Sequence, residues 1–77
     1  MEVNVKLIST FRKYQDIVND DKAHLKNGST VRDLALKIGL PLKIVKLTAV
    51  NGKQTDLDFV LSNGDTVHFF PPAIGGG

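Results

Sequence analysis

The chain has 77 residues, 42% of them hydrophobic, which suffices for one small core and leaves little room for a deep active site. It contains no cysteine, which excludes a disulfide framework, a thiolate zinc site and a cysteine nucleophile. The formal net charge of +2 is unevenly spread: residues 1–53 hold all 10 Lys and Arg, and residues 54–77 hold only Asp56, Asp58 and Asp65, so no basic arm for a nucleic acid is expected there.

The opening stretch MEVNVKLIST has no apolar run of signal-peptide length, and nothing in the chain approaches the roughly 20 apolar residues of a membrane span. A cytoplasmic protein without membrane contact is expected. Within VNVKLIS, 3–9, Val3, Val5 and Leu7 alternate with Asn4 and Lys6, which predicts a half-buried first strand. In the polar stretch that follows, Phe11 and Tyr14 are expected to fold back as core anchors under a loop. His24-Leu25-Lys26 reads as a short second strand, left through the turn signal Asn27-Gly28-Ser29.

The helix is the clearest element. Thr30 can cap its N-terminus, with Asp33 three residues on in the place of the usual Glu of a capping box. Val31, Leu34, Ala35 and Ile38 form one apolar stripe, Gly39 supplies a left-handed stop and Pro41 prevents resumption. LPLKIV, 40–45, is a connector with some apolar anchoring. KLTAV, 46–50, predicts a third strand ending at Asn51-Gly52, DFVL at 58–61 a further short strand or turn segment, and TVHFF, 66–70, the last strand. Several strands around one helix imply an α+β domain: a mixed sheet of four to five strands with the helix on one face. If the first and last strands pair, they do so in parallel, the β-grasp arrangement of ubiquitin-like proteins. The division expected is a domain over 1–72 and a flexible glycine tail over 73–77.

Enzymatic constellations are missing. His24 and His68 lack the cysteine or carboxylate spacing of a metal motif, no serine sits in a nucleophile elbow, and no helix follows the terminal glycines to make a phosphate loop. No metal and no bound cofactor are expected. His68 shares a strand face with Phe70, which makes both candidate partner contacts. What the sequence does present is its terminus, FFPPAIGGG. Pro71 and Pro72 cannot donate to a sheet ladder and end the strand in an extended path. Gly75, Gly76 and Gly77 contribute almost nothing to folding, but without a Cβ they can thread a narrow channel in another protein and deliver the terminal carboxylate there.

The glycine-ending terminus, the run NGDTVHFFPP at 63–72 and the element order together resemble the small sulfur-carrier proteins, which comprise the small subunit of molybdopterin synthase and the thiamin-biosynthesis carrier. VKLISTFRKY at 5–14 and AVNGK at 49–53 support the resemblance more weakly. It implies a cosubstrate protein rather than an enzyme. An E1-like adenylating enzyme, using ATP and magnesium, would activate the carboxylate of Gly77. A sulfur donor of the cysteine desulfurase or rhodanese type would convert it to a thiocarboxylate. Gly75 and Gly76 would thread the partner's channel, and His68, Phe70, Pro71 and Pro72 would meet the partner, which in the molybdopterin branch includes a larger synthase subunit. FFPP resembles that branch, whereas three terminal glycines also suit the thiamin branch. In the usual molybdopterin-branch tail two residues separate the prolines from a diglycine end; here Ala73 and Ile74 fill the gap and Gly77 overhangs by one. Two other readings stay open: a ubiquitin-like modifier joined to target lysines through the same glycine, and a β-grasp interaction module whose glycines are incidental.

Overall fold

The computed structural model describes residues 1–8, 11–12, 21–45 and 47–71. The expectations for Tyr14, Pro72, Gly75, Gly76 and Gly77, and for the tail as a whole, fall outside them. Five strands form one mixed sheet: β1 (Glu2–Leu7), β2 (Lys22–His24), β3 (Leu47–Val50), β4 (Lys53–Thr55) and β5 (Thr66–Phe70), in the order β2-β1-β5-β3-β4. β1 and β5 run parallel, with Val5 opposite Val67 and Leu7 opposite Phe69. The other pairings are antiparallel. One helix, α1 (Val31–Ile38), covers one face.

Alternation decides which face that is. Val3, Val5 and Leu7 of β1 and Val67 and Phe69 of β5 are buried in one cluster with Val31, Leu34, Ala35 and Ile38 of the helix. Phe11 is buried in the same cluster, as an anchor should be. Thr48 also points inward although it is polar; its hydroxyl donates to the Thr55 carbonyl at 2.8 Å, so no orphaned group enters the core.

Both helix ends are closed by the residues that signalled them. The Thr30 hydroxyl accepts from the Asp33 N–H at 3.2 Å, and the Asp33 carboxylate accepts from the Thr30 N–H at 2.9 Å, a reciprocal box. The two preceding free donors of the first turn reach outside the helix: the Val31 N–H meets the Phe59 carbonyl at 3.0 Å and the Arg32 N–H the Leu57 carbonyl at 2.8 Å. At the other end Gly39 takes φ 88°, and its N–H and that of Leu40 return to the last-turn carbonyls of Leu36 and Ala35.

Three boundaries differ from the sequence reading. The second strand lies at Lys22–His24 rather than 24–26: its register sets Asn4 opposite Lys22 and Glu2 opposite His24, and Leu25 and Met1 exchange backbone hydrogen bonds one step further on. The fourth strand is Lys53–Thr55, the return arm of the Asn51-Gly52 hairpin, an edge strand with no large apolar residue. DFVL at 58–61 is not a strand of the sheet. It touches Thr30 through a single bridge at Val60, and its neighbourhood supplies the carbonyls that close the start of α1.

Candidate functional site

The face of the sheet turned away from the helix is where the sequence placed partner contacts. On β5 the outward residues are Thr66, His68 and Phe70, each half-buried, and Pro71 follows directly. The His68 and Phe70 rings stack with centroids 6.2 Å apart and planes 16° from parallel. That arrangement fixes two side chains of one strand as a single flat surface. Across the ladder, Leu47 lies opposite Phe70, and Ala49 and Lys6 lie opposite His68 on either side. The result is an apolar patch of Phe70, Leu47 and Ala49, flanked by Lys6 and centred on the strand from which the tail departs.

Leu47 and Ala49 were missed as members of this patch. In LTAV the outward residues are Leu and Ala and one inward residue is Thr, so polarity gives the wrong face. The signal that could have found them is positional. Counting back by two from Val50, the last residue before the Asn51-Gly52 turn, places Thr48 inward and Leu47 and Ala49 outward.

The β1–β2 side of the same face is ionic. Glu2 lies 3.8 Å from Lys22 and 3.5 Å from His24, and Lys6 pairs with Asp21 at 3.4 Å. His24 therefore lies beside Glu2 at the start of β1, remote from His68. Arg32 pairs with Asp58, tying the helix to the loop that closes it. Among the described residues no three metal-ligating side chains cluster, and no buried side-chain nitrogen or oxygen lacks a partner. The larger groove, about 920 Å³, is open and lies between the β3–β4 hairpin and Phe59, lined by Val50, Lys53 and Asp56 among others. Val50 stands opposite Val67, so this groove lies toward the start of β5, away from the tail exit. Among the described residues no helix is long and apolar enough to cross a membrane.

A mixed five-stranded sheet with β5 at its centre, parallel to β1, and one helix on one face is the β-grasp fold of ubiquitin-like proteins. The chain belongs to the ThiS family, whose model matches residues 5–76. No curated protein matches it significantly. Among solved structures it is similar to a putative molybdopterin converting factor, subunit 1, from Pyrococcus furiosus, at 30% identity and a TM-score of 0.72, covering 95% of this chain and 99% of that one. It also shares its fold with SAMP1 from Haloferax volcanii, at 19% identity and a TM-score of 0.66, covering 99% and 100% of the two chains. A second structure, of H. volcanii small archaeal modifier protein 1, matches at 17% identity and a TM-score of 0.66, covering 94% and 98%. Members of this family are small carrier proteins, and the chain is one of them.

Proposed function

We propose that this chain is a sulfur carrier whose Gly77 carboxylate becomes a thiocarboxylate, and that it serves molybdopterin-type rather than thiamin-type biosynthesis. The observation that carries the reading is the departure of a glycine-ended tail from the central strand, directly beside the Phe70, Leu47 and Ala49 patch. A partner that grips this patch holds the origin of the tail, so the threading residues Gly75 and Gly76 reach its channel already aimed. The FFPP run and the likeness to the Pyrococcus protein favour the molybdopterin branch.

The chemistry asks little of this chain beyond presentation. The terminal carboxylate attacks the α-phosphorus of ATP, held with magnesium by an E1-like adenylating enzyme, and pyrophosphate leaves. The resulting acyl-adenylate is a mixed anhydride. The outer sulfur of a persulfide donor, of the cysteine desulfurase or rhodanese type, displaces AMP to give an acyl disulfide. A second thiol then attacks the donor-side sulfur, which breaks the S–S bond, leaves a disulfide on the donor and releases the thiocarboxylate. A larger synthase subunit then uses the thiocarboxylate as its sulfur source. Intact mass tests this: incubation with the cognate activating enzyme, ATP, a persulfide donor and a thiol reductant should replace one carboxylate oxygen by sulfur. An unchanged mass in the presence of an enzyme active on another carrier would remove the reading.

The patch makes a separate prediction. Phe70→Ala should weaken binding to the activating enzyme by about 1–2 kcal/mol, roughly five- to thirtyfold in Kd, because a half-buried aromatic at the end of β5 is the natural anchor of the contact. Titration by calorimetry measures it, and an unchanged Kd would move the docking surface elsewhere. The second reading, a modifier joined to lysines, shares the activated glycine and draws on the fold held in common with SAMP1. Isopeptide-linked conjugates in cells expressing this chain would favour it.

A further inference from the structure

The dipeptide Asn-Gly occurs three times, at 27–28, 51–52 and 63–64. All six residues are exposed, and the three glycines hold φ of 90°, 85° and 88°. Asn-Gly is the pair at which the following backbone nitrogen most readily attacks the asparagine side chain, because glycine has no Cβ to obstruct ring closure. The glycine nitrogen bonds to the asparagine Cγ, the Cγ–NH₂ bond breaks, and ammonia leaves with the amide proton. Water then opens the five-membered imide at either carbonyl, giving aspartate or isoaspartate. The intrinsic reactivity of the three sites is equal. Their surroundings are not.

Asn51 is held at both ends of its amide: Nδ2 donates to Asp65 at 2.9 Å and Oδ1 accepts from the Thr66 N–H at 3.0 Å. At the third site the attacking nitrogen is itself engaged. The Gly64 N–H donates to the Glu2 carbonyl at 2.7 Å, while Asn63 Oδ1 accepts from the Glu2 N–H at 2.8 Å. The Asn27 turn has neither restraint. Its one hydrogen bond runs from the Ser29 N–H to the Lys26 carbonyl at 3.1 Å, spanning the dipeptide without touching it. Among the described residues nothing bonds the Asn27 side chain or the Gly28 nitrogen.

We propose that Asn27 is a self-modification site, converted spontaneously in the folded protein while Asn51 and Asn63 are protected by the fold. Conversion adds a negative charge to a protein of net charge +2. Through the isoaspartate product it also inserts an extra main-chain methylene two residues before Ser29. The Ser29 carbonyl accepts the Leu61 N–H at 2.8 Å, and Thr30 caps the helix, so the lesion falls on the joint between α1 and the segment that closes it. The tail-bearing end of β5 is untouched, because Asn27 follows the β2 residue paired with Glu2 whereas Phe70 lies beyond the Leu7 level.

The test ages the intact protein in mildly alkaline native buffer and follows each site by peptide mapping, with isoaspartyl methyltransferase labelling as a second readout. Conversion at Asn27 should outpace Asn51 and Asn63 by about fivefold or more, since one net hydrogen bond retained on a site is worth roughly that factor. In denaturant the three should react at similar rates, and Asn27→Gln should abolish most native labelling. Equal native rates at the three sites, or native protection of Asn27, would overturn the proposal. So would a lead for Asn27 that persists unchanged in denaturant, which would place the cause in local sequence rather than in the fold.

Discussion

Phe69→Ala should strip the domain of most of its stability, and Phe70→Ala should not. The two side chains are neighbours on one strand, and the pleat sends them to opposite faces. Phe69 is fully buried among β1, β5 and the helix; Phe70 lies half-buried on the outer face. Truncating a buried Phe costs about 3–5 kcal/mol through lost contacts and the cavity left behind. A domain of this size has a total stability at the low end of about 5–15 kcal/mol, so the loss removes most of it. Phe70→Ala should cost about 1 kcal/mol. Urea denaturation followed by far-UV circular dichroism distinguishes the two, and the reverse ranking would mean that the strand register is shifted by one.

Loss of Gly76 and Gly77 should abolish thiocarboxylate formation and shift unfolding by no more than about 0.5 kcal/mol, because these residues have no side chain to pack. A finer version asks where the reacting carboxylate must sit. A partner channel that measures from Pro71 would find the end of the chain displaced by at most about 3.6 Å when one residue is removed. A misplacement of about 1 Å already costs on the order of a hundredfold in rate. The chain ending at Gly76 should therefore convert poorly beside the full-length chain when both are followed by intact mass. Efficient conversion of only the shortened chain would mean that trimming precedes use.

How far the fold could be read from sequence depended on whether each element carried its own apolar pattern. α1 declared itself through Thr30, one stripe and Gly39, and β5 through Val67 and Phe69. β4 could not, because Lys-Gln-Thr is exposed or half-exposed edge strand, held only by its hairpin partner. DFVL misled for the converse reason. Phe59 and Val60 are apolar yet exposed, and Leu61 alone reaches the core. What that segment contributes is its neighbouring backbone carbonyls at 57 and 59, which no side-chain pattern records. At the candidate site, the outward direction of His68 and Phe70 followed from alternation, whereas Leu47 and Ala49 were concealed by the inward threonine between them.

The position of β5 has a mechanical consequence. An enzyme that grips the tail and draws it into a channel applies force along the axis of the strand to which the tail is attached. β5 is bonded on one side to β1, in parallel from Asn4 to Leu7, and on the other to β3, antiparallel from Leu47 to Val50. A pull along that axis loads both ladders together in shear, instead of peeling one pair at a time as it would at a strand margin. Extraction then requires the two ladders to fail together, which sets a high barrier to forced unfolding. Under the proposed function, a load applied beyond Pro71 would therefore leave β5 seated between its two neighbours.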